Sequence, residues 1–223
     1  MNNFSDKQTA WNTQAQTATD PGAQVARPGN SEDLDGLVTD IKVKLKLGTG
    51  KISILDVGCG NGLVLSKLVD DYSDVVGVDY AQAMVESAKN MLPDGTFQTG
   101  EAGALELADN TFERVLCYSI FHYFPDDDYA LKALSELVRV CKPGGIVLVG
   151  DLLDHAFEHD TKSGSNPEHA AKLPVIHRYA EWRFYDLERL ADYVSSMAKS
   201  VEILEQPHSF RLHQYRKDLR ICL

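Results

Sequence analysis

Residues 54–62 read ILDVGCGNG. An apolar run carries an acid, Asp56, just ahead of a turn with glycine at positions 58, 60 and 62. Glycines so placed let a backbone turn sharply and come close to a ligand. A dinucleotide fingerprint requires GxGxxG, whose third glycine lets the helix pack tightly on the strand; here that position is Leu63. An anion before the turn also opposes a pyrophosphate and favours a ligand bearing an ammonium group. S-adenosylmethionine carries an ammonium, a carboxylate and a sulfonium, and no phosphate. On this reading Asp56 takes the amino group, while N–H groups around the turn and the helix start hold the carboxylate. Asp79 closes the next apolar run and can accept hydrogen bonds from both ribose hydroxyls. Dinucleotide-binding proteins use the same device, so a nicotinamide-dependent oxidoreductase stays open as the alternative from these residues.

Transfer of a methyl group from a sulfonium is an in-line displacement, in which alignment supplies most of the acceleration. A base is needed only where the nucleophile arrives protonated. His122 is the candidate: it follows Ser119 by three residues at the end of a predicted strand, where open α/β sheets border their ligand crevice. The alternative is a histidine that shapes the pocket floor without moving a proton. Tyr123 beside it, Trp11 near the N-terminus, and Tyr179 and Trp182 further on are expected to contact the acceptor. Residues 152–184 also hold His155, His159, His169, His177 and Arg178. His155 and His159 would share a helix face, with Asp151 or Asp160 as a conceivable third ligand. That pair alone is not a metal-site pattern, and no metal is expected.

These residues need elements to position them. The helical spacing of Leu34, Leu37, Val38, Ile41 and Leu45 predicts a helix from Ser31. Strands are predicted at 52–57, 75–78, 96–99, 112–119 and 146–149, with helices at 62–72, 81–91 and 126–141 between them. Such alternation specifies a parallel, doubly wound α/β sheet covered on both faces. After 152–184, Asp186 caps a further predicted helix, and strands follow at 201–205 and about 210–221. A link of three residues at most would make that last pair an antiparallel hairpin. The expectation is therefore a Rossmann-like, seven-stranded, mostly parallel sheet with an antiparallel C-terminal strand. Residues 32–223 form its domain, 152–184 being a substrate-pocket insertion. Residues 1–31 are polar and form either a flexible segment or a lid that lays Trp11 over a ligand.

Composition narrows the partners. The 223-residue chain is 43% hydrophobic and 25% charged, as soluble globular proteins are. Its net charge of −11 repels phosphate backbones and anionic lipid. Nucleic acid and membrane are therefore not expected as partners. The four cysteines, at 59, 117, 141 and 222, are scattered as in reducing compartments. With no signal-peptide pattern and no apolar run near ~20 residues, a cytoplasmic monomer or homodimer is expected.

Taken together, the ordered motifs resemble those of class I S-adenosylmethionine-dependent methyltransferases. ILDVGCGNG is similar to the first motif of that family, and VVGVDYAQAMVESAK to its second. FQTGEAGALELADNTFERVLCYSIFHYF resembles its third and fourth, and ELVRVCKPGGIVLVGD the entry to its fifth strand. The resemblance implies a donor site of Asp56, Gly58, Cys59, Gly60, Asn61 and Ser119, with Asp79 on the ribose. It places Tyr80 beside the adenine, Met84 packing nearby, Glu101 on the adenine amino group and the Ala102 N–H on a ring nitrogen. Glu101 stands where the family more often has Asp. The activity implied is methyl transfer to oxygen or nitrogen of a small biosynthetic molecule; a non-catalytic donor-binding protein is the second alternative.

Overall fold

The computed structural model describes residues 4–25, 31–69, 73–163, 172–178, 181–210 and 212–223. Strands β1 (Ser53–Val57), β2 (Asp74–Asp79), β3 (Thr96–Thr99), β4 (Phe112–Tyr118), β5 (Cys141–Leu153), β6 (Ser200–Glu205) and β7 (Arg216–Cys222) form one sheet in the order β3-β2-β1-β4-β5-β7-β6. The first five run parallel; β7 is antiparallel to both β5 and β6. Strand alternation sends successive side chains to opposite faces. Leu55, Val57, Val115, Cys117, Val147 and Val149 enter one core. Ile54, Leu116, Tyr118, Ile146 and Leu148 enter the other.

Helices α1 (Phe4–Thr17), α2 (Pro21–Gln24), α3 (Ser31–Lys44), α4 (Leu63–Leu68), α5 (Gln82–Met91), α6 (Asp127–Val140), α7 (Glu158–Ser163) and α8 (Leu187–Ser195) surround the sheet. In α6, the side chains of Ala130, Ala133, Leu134, Leu137 and Val140 are buried, the i, i+3, i+4 stripe of a helix lying on a sheet. Asp126 caps it by accepting the Tyr129 N–H at 2.8 Å. Asp186 caps α8 through the Arg189 N–H at 3.1 Å. Cover on the other face comes from α3, whose Leu37, Val38 and Ile41 pack with Leu45 beside Leu65 and Leu68.

Three boundaries depart from the sequence reading. The strand expected at 146–149 extends over Cys141–Leu153, with a register shift between Phe112 and Arg114 on β4 that absorbs Pro143-Gly144-Gly145. The short helix α4 ends at Leu68, and residues 70–72, expected to continue it, lie outside the described residues. The C-terminal pair is antiparallel as expected, but residues 206–215 separate the strands instead of three. Phe210 explains the longer link: it packs against the core beside α3, with Gly36 close by, and so leaves the sheet.

Candidate functional site

The carboxyl ends of β1, β2 and β4 border a cleft whose empty space, open solvent at its mouth included, is about 980 Å³. Gly58, Gly60 and Gly62 have φ of 81°, 53° and 79°, the left-handed region that favours glycine. At Gly58 a Cβ would fall 2.5 Å from the Ile120 side chain, and at Gly60 2.7 Å from Val25. The turn therefore lets two neighbours approach its bare backbone.

Much of the donor capacity of this turn is used within the protein. The Gly58 and Cys59 N–H groups donate to Val78 O at 2.7 and 3.1 Å, and that of Gly62 to Cys59 O at 3.0 Å. The Gly60 N–H donates to Asp79 Oδ2 at 2.9 Å and the Leu63 N–H to Asn61 Oδ1 at 3.2 Å. Five amides around the turn are thus engaged within the protein. Asn61 is fully buried and ties the turn to α2, donating to Pro21 O and Gln24 Oε1 at 2.9 Å each.

Asp79 is fixed at both oxygens, Oδ1 accepting the Ala81 N–H at 2.9 Å. Each carboxylate oxygen has a second lone pair, so the group is oriented without being saturated. Burial pushes its pKa up from 3.8 to about 6, with the Ala81, Gly60 and Tyr80 N–H groups opposing the shift. A carboxyl raised in this way costs stability that is absent below its unfolded pKa and fully felt above about 6; about two units correspond to ~3 kcal/mol. Ligand hydroxyls that donate to the ionised form must compete with protons below that pH. Affinity for 5′-methylthioadenosine, which has the ribose and no amino acid, is expected to be level above pH 7. Below pH 6 it should fall by up to about tenfold per unit, as read by calorimetry. A flat profile from pH 5 to 8 would remove Asp79 from the ribose.

Every other sequence-expected donor residue also lines the cleft: Asp56, Cys59, Tyr80, Met84, Glu101, Ala102 and Ser119. Met84 is buried with Ala81 and Ala83, against Trp11, Val25 and Tyr80. Glu101 is exposed and accepts from Tyr129 Oη at 3.4 Å. Burial pushes the Tyr80 hydroxyl well above the ordinary tyrosine range and that of Tyr129 to about 12, so both stay protonated.

Helices α1 and α2 lie across the mouth. Gln8 donates to Tyr80 O at 2.6 Å, Asn12 Oδ1 accepts the Ala83 N–H at 2.9 Å, and Lys7 donates to Tyr123 O at 3.0 Å. Lys7 is 3% exposed, and burial lowers its pKa against the pull of Glu181. The Trp11 ring meets Tyr123 edge-on at 5.6 Å, and Phe4 touches Tyr80 and Tyr129 at 5.2 and 5.4 Å. Phe4, Val25, Ile120 and Tyr129 line the cleft as well and were missed in the sequence. For Tyr129 a signal existed, since it sits in the first turn of the helix that starts at the strand ends.

The acceptor side needs correction. Tyr123 and Trp11 line the cleft, but His122 and Trp182 do not. His122 is 3% exposed, its ring 4.1 Å from that of Tyr123 and 4.6 Å from that of Trp182. Trp182 donates its indole N–H to Ile176 O at 3.2 Å and packs with Leu153 and Phe184, which draws both rings behind Tyr123. His122 thus stands outside the described lining, its ring packed against those of Tyr123 and Trp182. Tyr179 and His169 lie outside the described residues. His155 occupies a 3-10 turn and His159 the separate helix α7. Among the described residues no three His, Cys, Asp or Glu side chains form a group fit for a metal.

Behind Ser119 runs a buried polar chain that the sequence reading did not anticipate. Ser119 donates to Asp151 Oδ2, which also accepts from Arg216. The Asp151 N–H donates to Asp218 Oδ1 at 2.8 Å, and Gln206 Nε2 donates to the same oxygen at 2.9 Å and to Tyr118 Oη at 3.0 Å. Lys44 completes the chain, 2.7 Å from Asp218 Oδ2 and 2.6 Å from Asp40 Oδ2.

Residues 54–145 match the family model described as "Methyltransferase domain". Over those residues the chain is similar to a methyltransferase domain. Among curated relatives, demethylmenaquinone methyltransferase of Renibacterium salmoninarum is 36% identical over 108 residues, 48% of this chain and 42% of that protein. The dTDP-3-amino-3,4,6-trideoxy-alpha-D-glucopyranose N,N-dimethyltransferase of Streptomyces venezuelae is 26% identical over 122 residues, 54% of this chain and 52% of that protein. The chain spans about half the length of such relatives or less. Among solved structures, the putative methyltransferase in complex with the Haloferax volcanii Trm112 activator shares the fold. It has a TM-score of 0.67 at 16% identity, covering 95% of this chain and 96% of that one.

The cleft fits S-adenosylmethionine, the cofactor that this similarity implies. The buried Tyr80 hydroxyl has no hydrogen-bond partner among the described residues and lines the cleft, so a ligand's polar group would satisfy it. No Lys, Arg or His is in the described lining, which suits a sulfonium and disfavours a pyrophosphate.

Proposed function

We propose that this protein transfers a methyl group from S-adenosylmethionine to an oxygen or nitrogen of a small, uncharged or cationic acceptor. The observation that carries this reading is the pairing of an anchored buried acid, Asp79, with a described lining that contains acids and aromatic rings and no cation. Asp56, Asp79 and Glu101 in the lining disfavour an anionic acceptor. The relatives named for a quinone precursor and an aminosugar support a small-molecule acceptor, and the acidic surface favours a cytoplasmic role away from nucleic acid. Among the described residues no helix is long and apolar enough to cross a membrane.

When bound, the sulfonium supplies an electrophilic methyl group with a neutral thioether as leaving group. The chain's part is alignment, which can be worth ~7–11 kcal/mol. Asp79 holds the ribose, Tyr80 and Met84 flank the adenine with Glu101 and the Ala102 N–H at its edge, and Asp56 draws the ammonium end. Helices α1 and α2 act as the lid, Trp11 and Tyr123 forming the wall nearest the acceptor. His122 backs Tyr123 and holds that ring in place.

Calorimetric titration tests the donor: S-adenosylhomocysteine is expected to bind and NADH not to. Incubation with methyl-labelled donor and a metabolite extract should then move label into a small molecule. Binding of NADH alone would overturn the reading. Binding of S-adenosylhomocysteine with no label transferred would leave a donor-binding protein and remove the enzyme.

A further inference from the structure

Ser119 lines the cleft at the carboxyl end of β4, and its hydroxyl proton is committed to Asp151. Asp151 itself is outside the lining, 5% exposed, at the far end of β5. Its Oδ2 accepts from both Ser119 and Arg216, and its own N–H is held by Asp218. A hydroxyl has one proton and two lone pairs. With the proton directed at Asp151, the Ser119 oxygen can meet a ligand only as an acceptor. Both residues take left-handed backbone, φ 62° and 65°, which is uncommon outside glycine, and the Ser119 N–H reaches Gly150 O at 3.1 Å. Two unusual conformations thus coincide at one side-chain pair on neighbouring strands.

Strand order says which part of a nucleoside this pair would meet. Asp79 on β2 and Glu101 after β3 lie on one side of β1; Ser119 on β4 lies on the other. With the ribose at Asp79, the amino-acid end of the ligand extends over β1 towards β4. The ammonium is the hydrogen-bond donor at that end.

We infer that Asp151 is a positioning residue: acting through Ser119, it makes the β4 side of the cleft an acceptor that, with Asp56, seats the ligand's ammonium group. The inference rests on the methyl-donor reading above. Ser119 would touch the ligand, and Asp151 would fix its polarity.

The test pairs variants with ligands. The full chain, Ser119→Ala and Asp151→Asn are titrated with S-adenosylhomocysteine, with its deaminated analogue that keeps the carboxylate, and with 5′-methylthioadenosine. Each variant is expected to lose roughly tenfold in S-adenosylhomocysteine affinity and to match the wild type for the other two ligands. Equal losses for all three ligands would mean a structural role and overturn the inference, as would unchanged S-adenosylhomocysteine affinity. Asp151→Asn weakens the partner of a buried arginine and can unfold. Asp151→Glu keeps the charge while displacing the carboxylate from Ser119; the same selective loss is expected of it, and wild-type affinity would overturn the positioning role. A wild type that fails to bind S-adenosylhomocysteine at all would sink the methyl-donor reading, and this inference with it.

Discussion

Asp79→Ala is expected to weaken S-adenosylhomocysteine binding by at least about a hundredfold while leaving the melting temperature at pH 7 close to that of the wild type. Two ribose hydroxyls lose a charged acceptor, each bond being worth ~1.5–3 kcal/mol, so the combined loss is about two to four decades in affinity. Stability responds differently because two effects oppose. The buried charge costs ~3 kcal/mol at neutral pH, and the substitution removes that cost. It also strands the Gly60 and Ala81 N–H groups that now donate to the carboxylate, at ~1–3 kcal/mol each. Calorimetry and a thermal melt on the same sample separate the two. An affinity within threefold of the wild type would remove Asp79 from the site, whatever the melt shows.

Lys44→Met is expected to be strongly destabilising. Lys44 ends α3 with its ammonium 2.7 Å from Asp218, which is fully buried, and donates to Glu205 O at 2.9 Å. Removing one partner leaves an uncompensated buried charge, about 3–5 kcal/mol. For a chain of this size that lowers Tm by roughly 6–20 °C. The sign of its pH dependence is fixed as well. Burial already raises the Asp218 carboxyl and Lys44 holds it down, so without Lys44 it rises further. Protonation then relieves the charge, and the deficit against wild type shrinks as pH falls towards the acid range. The double variant Lys44→Met/Asp218→Asn should recover much of the loss. A deficit that stays constant from pH 5 to 8, or a fall of only a degree or two, would refute the account.

Much of the architecture was legible because it follows from periodicity. The β1–α4–β2–α5 order, the α6 stripe and the antiparallel last strand are all written in alternating or helical spacing that burial enforces. The glycine turn, Asp56 and Asp79 were legible too, since only certain residue types tolerate that backbone or supply that charge. What was lost depended on partners far apart in the chain. Asp151, Gln206 and Asp218 lie too far apart along the chain for any local pattern to link them, and only the antiparallel insertion of β7 beside β5 brings them together. His122 looked catalytic because its position after β4 was right, yet the packing of Trp182 beside it is set by a segment whose course no spacing rule dictates. The engaged amides of the glycine turn were missed for a related reason: the turn closes on Val78 and Asp79, its neighbours across the sheet.

The reversed direction of β7 has a consequence for how such a protein can diversify. Parallel strands bring their carboxyl ends to the rim of the cleft, whereas β7 brings its first residue, Arg216. The loop 206–215 therefore opens on the same rim as the loops after β4 and β5, although it precedes its strand. Lengthening that loop can reshape this rim while every ladder bond in the sheet stays in register, so the surface there can change without remaking the scaffold.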